Sequence, residues 1–244
     1  MQSIKKTARV AGVLYLIVIL CGIFAEKYVR ATLVDLTDGA KTVATISRNE
    51  LLFRLGFISD LLMQLAYFVL PLVLFRILKE TNKWLAQIMV LSVSVAVAIL
   101  CINMLNHYAP LLLLNGEGFN SEQVQNQVLF HLNLHSNGYR IAQLFFGLWL
   151  LPLGYLVLTS KLFPKGIGVL LILGCFGYLM DFVLYFLFPS ESKALSEWIT
   201  LPADLGEFSL CFYLLAKGVK KVPNHKCERL AANSKSYLQR NKQS

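Results

Sequence analysis

Six apolar runs of about twenty residues recur along this chain, and charged residues collect between them. A helix rises about 1.5 Å per residue, so each run is long enough to cross a hydrocarbon core of roughly 30 Å. Only 15% of the 244 residues are charged, whereas soluble domains carry about a quarter. The pattern predicts an all-α, polytopic membrane helix bundle with six transmembrane helices, at about Ala8–Ala25, Phe53–Ile77, Trp84–His107, Tyr139–Ser160, Ile167–Phe188 and Ile199–Val219.

We expect one transmembrane domain over residues 1–220, followed by a basic and disordered tail over residues 221–244. The first run follows basic residues, as a secretory signal peptide also would, but bulky Ile23 lies where a cleavage site needs a small residue. We therefore expect a retained helix. The partly apolar stretch from Val124 to Ser136 predicts a helix that lies on the membrane and leads into the fourth span.

The formal net charge of +9 is concentrated between particular spans and in the tail. Most of the 23 Lys and Arg residues precede the first run, separate the second run from the third and the fourth from the fifth, or follow the sixth. Cytoplasmic loops carry an excess of Lys and Arg, so we expect both termini in the cytoplasm of a cell with a plasma or inner membrane. The tail could also bind anionic lipid headgroups. No basic patch is interleaved with aromatic residues, so nucleic acid is not an expected partner.

Ionisable residues inside the predicted spans carry the most information about function, because a charge at the bilayer centre costs at least about 2.5–3.5 kcal/mol on insertion scales. Counted from the helix ends, they all fall in the outer half of the membrane. This suggests one polar cavity that opens outward above an apolar plug. Four carboxylates meet two guanidinium groups there, so at least one carboxyl should be protonated or meet a cation. The candidate ligand-binding residues are Arg54, Asp60, Gln64, His135, Arg140, Asp181, Asp204 and Glu207.

Three functions fit this pattern. The first is a non-enzymatic bundle that binds a small cation, a proton or a protonatable ligand for transport, permeability or sensing. The second is an intramembrane enzyme acting on lipid, with His135 and a carboxylate as acid–base or metal groups. The third is an accessory subunit with a membrane-protein partner or a second copy of itself, in which Arg54 and Arg140 bridge carboxylates to hold helices together. We favour the first and assign no catalytic residue and no cofactor.

A metal site is the sharpest form of the second hypothesis. His131 and His135 are four residues apart and share a helix face, and Glu117 or Asp204 could complete a site. The His-Glu-x-x-His pattern is absent, and no cysteines form a close pair. We therefore interpret the two histidines as interfacial residues that do not bind a metal.

Several stretches resemble the bacterial integral membrane proteins grouped as the domain of unknown function DUF4386, over about residues 5 to 220. They are Ala8 to Leu16, Arg54-Leu55-Gly56 with Asp60-Leu61, His135 to Tyr139, Phe145-Phe146-Gly147, Gly154-Tyr155-Leu156, Gly177 to Asp181, and Leu205-Gly206-Glu207. The resemblance implies a multi-helix membrane protein and brings no activity or catalytic residue. The family's recurrent polar positions match Arg54, Asp60, His135, Asp181 and Glu207. Many relatives have a histidine where this chain has Trp149, which weakens a metal interpretation here.

Overall fold

The computed structural model describes the backbone of residues 2–116 and 121–220, with side chains from residue 4 onward except at 190–194. This part of the chain is all-helical. Six of its helices are long and apolar enough to cross a membrane, which confirms the predicted fold class. The predicted tail and Glu117 lie outside the described residues.

The first span, Ile4–Leu33, is built from three consecutive pieces. These are α1 (Gln2–Ile23), a π-helical segment (Phe24–Arg30) and α2 (Ala31–Leu33). A short amphipathic helix, α3 (Gly39–Arg48), follows and is capped by the Asp38 side chain. In the turn before it, hydrogen bonds from Thr37 and Lys41 lower the pKa of Asp35 to about 2.

The other five spans are single helices. They are α4 (Glu50–Leu78), α5 (Lys83–Leu114), α6 (Ser121–Thr159), α7 (Lys165–Leu187) and α8 (Pro189–Ala216). Pro71, Pro152 and Pro202 lie inside α4, α6 and α8, and each helix continues past its proline.

Two helices begin well before the predicted boundaries. The stretch predicted to lead into the fourth span is continuous with it as the first part of α6, and α8 begins ten residues before Ile199. The physical reason is visible in α6, where Val128 and Leu132 are buried in an apolar cluster with Ile46 of α3. Helix α3 of the same chain covers the apolar face of this part of α6.

The six spans form a closed ring in sequence order. Each packs against its neighbours in the chain, and α8 packs back against α1. The start of α1 and the end of α8 lie next to each other. A Cβ on Gly218, just after α8, would lie 3.5 Å from the carbonyl oxygen of Lys5 in α1. We call this side the basic end, because Lys5, Lys79, Lys83, Lys161, Lys165 and Lys217 all lie there. The opposite side, where α3 packs on α6, is the capped end.

The surface of the ring is apolar. Leu65, Leu105 and Phe212, for example, are 62%, 72% and 63% exposed. Exposed apolar faces of this extent on every span are what contact with lipid requires. Inside, a large apolar cluster fills the half of the ring toward the basic end, with Leu74, Leu153 and Leu214 all fully buried.

Close helix packing depends on small residues in the second half of the chain. A Cβ on Gly154 would lie 2.9 Å from the Gly168 carbonyl oxygen, and one on Gly174 would lie 2.5 Å from Ala203 Cα. Helices α6, α7 and α8 therefore approach one another more closely than larger side chains would permit, as is common in membrane bundles.

Candidate functional site

A layer of buried polar side chains separates two apolar clusters of the bundle. Toward the basic end lies the large cluster around Leu74 and Leu153, and at the capped end lies a smaller one around Val29, Phe53 and Leu132. The buried members of the polar layer are Asp60, Gln64, Asn103, His107, His135, Gln143 and Asp181.

The first ion pair of this layer joins Arg30 to Asp60. Arg30 Nη1 donates to Asp60 Oδ2, Nη2 donates to Oδ1 at 3.4 Å, and Nε donates to Glu26 at 2.7 Å. The π-helical segment that carries Arg30 lies directly on α4, where a Cβ on Gly56 would come within 2.7 Å of Val29. The absence of a side chain at Gly56 therefore allows the segment that carries Arg30 to pack closely on α4.

The second ion pair joins α6 to α7. Arg140 Nη1 donates to Asp181 Oδ2 at 2.5 Å, and Gln143 Nε2 donates to the same oxygen at 2.6 Å. The guanidinium also lies 4.7 Å from the centre of the Tyr185 ring. Asp181 is 1% exposed, and its other oxygen, Oδ1, is buried without a hydrogen-bond partner among the described residues.

Glu207 differs from both aspartates because its partners are neutral. Tyr15 donates to Glu207 Oε1 at 2.7 Å, and Tyr178 lies close to the same carboxylate. No basic group in the described ranges forms an ion pair with it. Nine residues separate Glu207 from the end of α8, or about 14 Å, so it lies near the middle of a hydrocarbon core of roughly 30 Å.

Aromatic rings surround this carboxylate. The Tyr15 and Tyr67 rings lie 6.0 Å and 5.5 Å from the Trp149 ring, and Phe146 lies between Tyr67 and Tyr178 at 5.8 Å and 6.4 Å. Glu207 and Tyr178 lie deep among the helices and yet keep accessible surface. Neither side chain is therefore fully enclosed by protein atoms.

Comparison with known proteins identifies a family for this chain. The family model described as "Domain of unknown function (DUF4386)" matches residues 10–218, which is most of the chain. This chain belongs to the DUF4386 family. No curated protein and no solved structure matches it. The DUF4386 match runs from the first span to the end of the last and includes both ion pairs and Glu207.

Two of the predicted site residues lie apart from the polar layer of this DUF4386 bundle. Arg54 pairs with Glu50, at 2.5 Å and 2.8 Å, and its side chain is 42% exposed on the ring's outer face. Asp204 is exposed. The other six, Asp60, Gln64, His135, Arg140, Asp181 and Glu207, face the interior, where Gln64 accepts from Cys101 Sγ at 2.8 Å.

The two histidines considered as a metal pair have separate partners. His131 Nδ1 lies 3.2 Å from Asn106 Oδ1, whereas the His135 ring lies 4.9 Å from that of His107. Within residues 2–116 and 121–220, no group of three His, Cys, Asp or Glu side chains is placed to hold a metal ion.

Sequence reasoning missed Arg30, Tyr15 and His107. The predicted first span ends at Ala25, before Arg30, because charged residues begin at Glu26 and continue to Glu50. The helical spacing of Ala25, Val29 and Leu33, all buried, was the available signal that the first span continues. His107 is fully buried, stacked 4.5 Å from Phe53, and both its ring nitrogens lack a partner in the described structure.

Proposed function

We propose that this protein binds a small cation, or a ligand that is protonated when bound, in the interior of the ring beside Glu207. The binding serves transport, permeability or sensing. The observation that carries the proposal is the charge of the polar layer. Asp60 and Asp181 each have a guanidinium partner, whereas Glu207 has only neutral tyrosine donors.

A lone carboxylate in the middle of a membrane is unfavourable. An unpaired charge at this depth costs at least about 2.5–3.5 kcal/mol on insertion scales, so such a group takes up a proton or binds a cation. The surrounding rings of Tyr15, Tyr67, Tyr178 and Trp149 suit a cation, because the face of an aromatic ring carries partial negative charge.

The arrangement of the layers favours access from the capped end, where the apolar cluster is the smaller of the two. Toward the basic end, Leu210 and Leu214 follow Glu207 on α8 and are buried in the large apolar cluster, which acts as a plug. Toward the capped end, the polar groups of Arg140, Asp181 and Asp60 continue the path. A ligand entering from the capped end would pass the smaller apolar cluster around Phe53 and Leu132, and then the polar side chains, before it reached Glu207.

Ligand-dependent thermal stability tests the proposal. The full chain, purified in detergent, is heated with alkali ions, ammonium and alkylammonium ions over a range of pH. A ligand at about 100 times its dissociation constant adds roughly 2.7 kcal/mol, or about 5–10 °C for a protein of this size. Glu207→Gln should abolish the shift, whereas the matched control Glu197→Gln, an exposed change on the same helix, should retain it.

Two results would contradict this function. One is the absence of a stability shift with any probe at any pH. The other is a shift of equal size in Glu207→Gln and in the wild type, because the carboxylate would then make no contribution to binding.

A second candidate function is an intramembrane enzyme, and one observation favours it. The His107 imidazole is fully buried beside His135, and neither of its ring nitrogens has a partner among the described residues. A neutral imidazole normally uses one nitrogen as a donor and the other as an acceptor. This function predicts either stoichiometric metal in the purified protein or altered membrane lipids on overexpression, with both effects lost in His107→Phe.

A further inference from the structure

A groove of about 490 Å³ lies on the outer face of the ring, between α4 and α5. Its walls include Ile58 and Leu61 from α4, and Cys101 and Leu105 from α5. Ile58 and Leu105 are 50% and 72% exposed, so the groove opens toward the region that lipid occupies. Its volume falls within the range of small-molecule sites, which is roughly 300–1,000 Å³.

One end of this groove is polar. Arg54 and Tyr108 line it there, and Arg54 Nη1 donates to the Tyr108 hydroxyl at 3.4 Å. Glu50 lies beside them and accepts two bonds from Arg54, at 2.5 Å and 2.8 Å. The two charged side chains are 42% and 43% exposed, so both can also contact a ligand in the groove.

The polar and apolar parts of the groove lie at the depths of the lipid headgroups and the acyl chains, respectively. Arg54 lies 24 residues before the end of α4, or about 36 Å, which is just beyond a hydrocarbon core of roughly 30 Å. Leu61 lies about 10 Å deeper than Arg54, inside the core. The groove therefore runs from the headgroup level into the acyl-chain level, and Tyr108 lies at the interface where tyrosine is enriched.

We infer that this groove binds one phospholipid that has a primary ammonium headgroup, such as phosphatidylethanolamine. One acyl chain lies along Ile58 and Leu105, the phosphate accepts from Arg54 and Tyr108, and the ammonium donates to Glu50. Adjacent opposite charges complement a headgroup that carries both signs. A choline headgroup has no N–H to donate to Glu50, and a glycerol headgroup has no positive charge. The site is separate from the interior one.

Native mass spectrometry tests this site directly. The full-length protein, freed of co-purified lipid, is exposed to an equimolar mixture of phosphatidylethanolamine, phosphatidylglycerol and phosphatidylcholine with identical acyl chains. The wild type should bind one phosphatidylethanolamine with a preference of about tenfold, since hydrogen bonds to charged groups are strong. Arg54→Gln should weaken binding of all three lipids. Glu50→Gln should retain lipid but lose the preference.

Filling the groove gives an independent variant. Leu105→Trp places a larger side chain in the groove without changing any charge, and it should lose bound lipid. Leu173→Trp, an equivalent change at an exposed position on α7, and Arg48→Gln, which removes an exposed arginine at the same end, should bind as the wild type does. The inference is overturned if the wild type binds the three lipids equally, or if Leu105→Trp retains as much phosphatidylethanolamine as Leu173→Trp.

Discussion

Asp181 and Glu207 are both carboxylates in the interior of the ring, but their surroundings give them different roles. The Oδ2 atom of Asp181 accepts from Arg140 and from Gln143, so this aspartate joins α6 to α7. Glu207 accepts from a tyrosine and is only half-buried. The first arrangement is that of a group with a structural role. The second leaves a charge for which a bound cation or proton is the natural partner.

Removing the charge of Asp181 should therefore lower stability more than it affects ligand binding. Asp181→Asn leaves Arg140 without its counter-ion, and breaking a buried pair in this way costs about 3–5 kcal/mol. Arg140 is 29% exposed, so we expect the lower end of that range. Thermal unfolding in detergent measures the loss, and Glu122→Gln, an exposed change on α6, is the control.

A double variant tests whether loss of the Arg140–Asp181 ion pair causes the loss of stability. Asp181→Asn combined with Arg140→Gln should be more stable than Asp181→Asn alone, because no unpaired guanidinium is left. If the two effects simply add, the two side chains do not stabilise each other through their ion pair.

At the scale of elements, the approach of α6 and α7 depends on two glycines that face each other. A Cβ on Gly168 would lie 2.8 Å from the Gly154 carbonyl oxygen and 2.6 Å from Leu158, closer than real Cβ atoms pack. Gly166, two residues earlier on the same helix, has nothing within 4 Å of the corresponding position. The same helix thus offers a test position and its control.

Gly168→Ala should destabilise the protein by roughly 1–3 kcal/mol, because the added methyl group forces the two helices apart. Gly166→Ala should be neutral or stabilising by up to about 1 kcal/mol, since it restricts only the unfolded chain. Comparing thermal midpoints of the two variants checks the expectation. Equal midpoints would mean that α6 and α7 do not pack through this contact.

The elements of the fold were largely predictable from the sequence, whereas their side-chain partners were not. Apolar runs of membrane-spanning length identify spans because lipid imposes one length and one composition on all of them. The first parts of α6 and α8 are not continuous apolar runs, so span length and composition do not identify them. A helix such as α6 needs only one apolar face where another helix covers it. The pairing of Asp60 with Arg30 instead of Arg54 depends on helix rotation and on the π-helical segment, which composition does not reveal.

At the scale of the whole molecule, the distribution of lysine between the two ends predicts orientation. Each connection between spans at the basic end carries lysine residues, whereas the acidic residues Asp35, Asp38 and Glu50 lie at the capped end. Because positive residues are retained on the cytoplasmic side, we expect the basic end in the cytoplasm. Ligand would then reach Glu207 from outside the cell, and the groove lipid would belong to the outer leaflet.

Reporter fusions test this orientation. Alkaline phosphatase, which needs an oxidising compartment, should be active when joined after Asp38 and inactive when joined after Thr81. A fluorescent protein that folds in the cytoplasm should be bright at the C-terminus. The reverse pattern would place the capped end in the cytoplasm and would move the predicted ligand entry to that side.

The closure of the ring by its first and last spans has a consequence for how the protein is made. A helix leaving the ribosome finds its partner already in the bilayer, since spans two to five each pack on the one synthesised just before. Among the contacts that close the ring, the one between α1 and α8 joins the helices farthest apart in the chain, and the hydrogen bond from Tyr15 to Glu207 joins residues 192 positions apart. Until α8 is made, the nascent bundle is an open crescent with one unsealed side. Translation of α8 supplies both the missing wall of the ring and the Glu207 carboxylate.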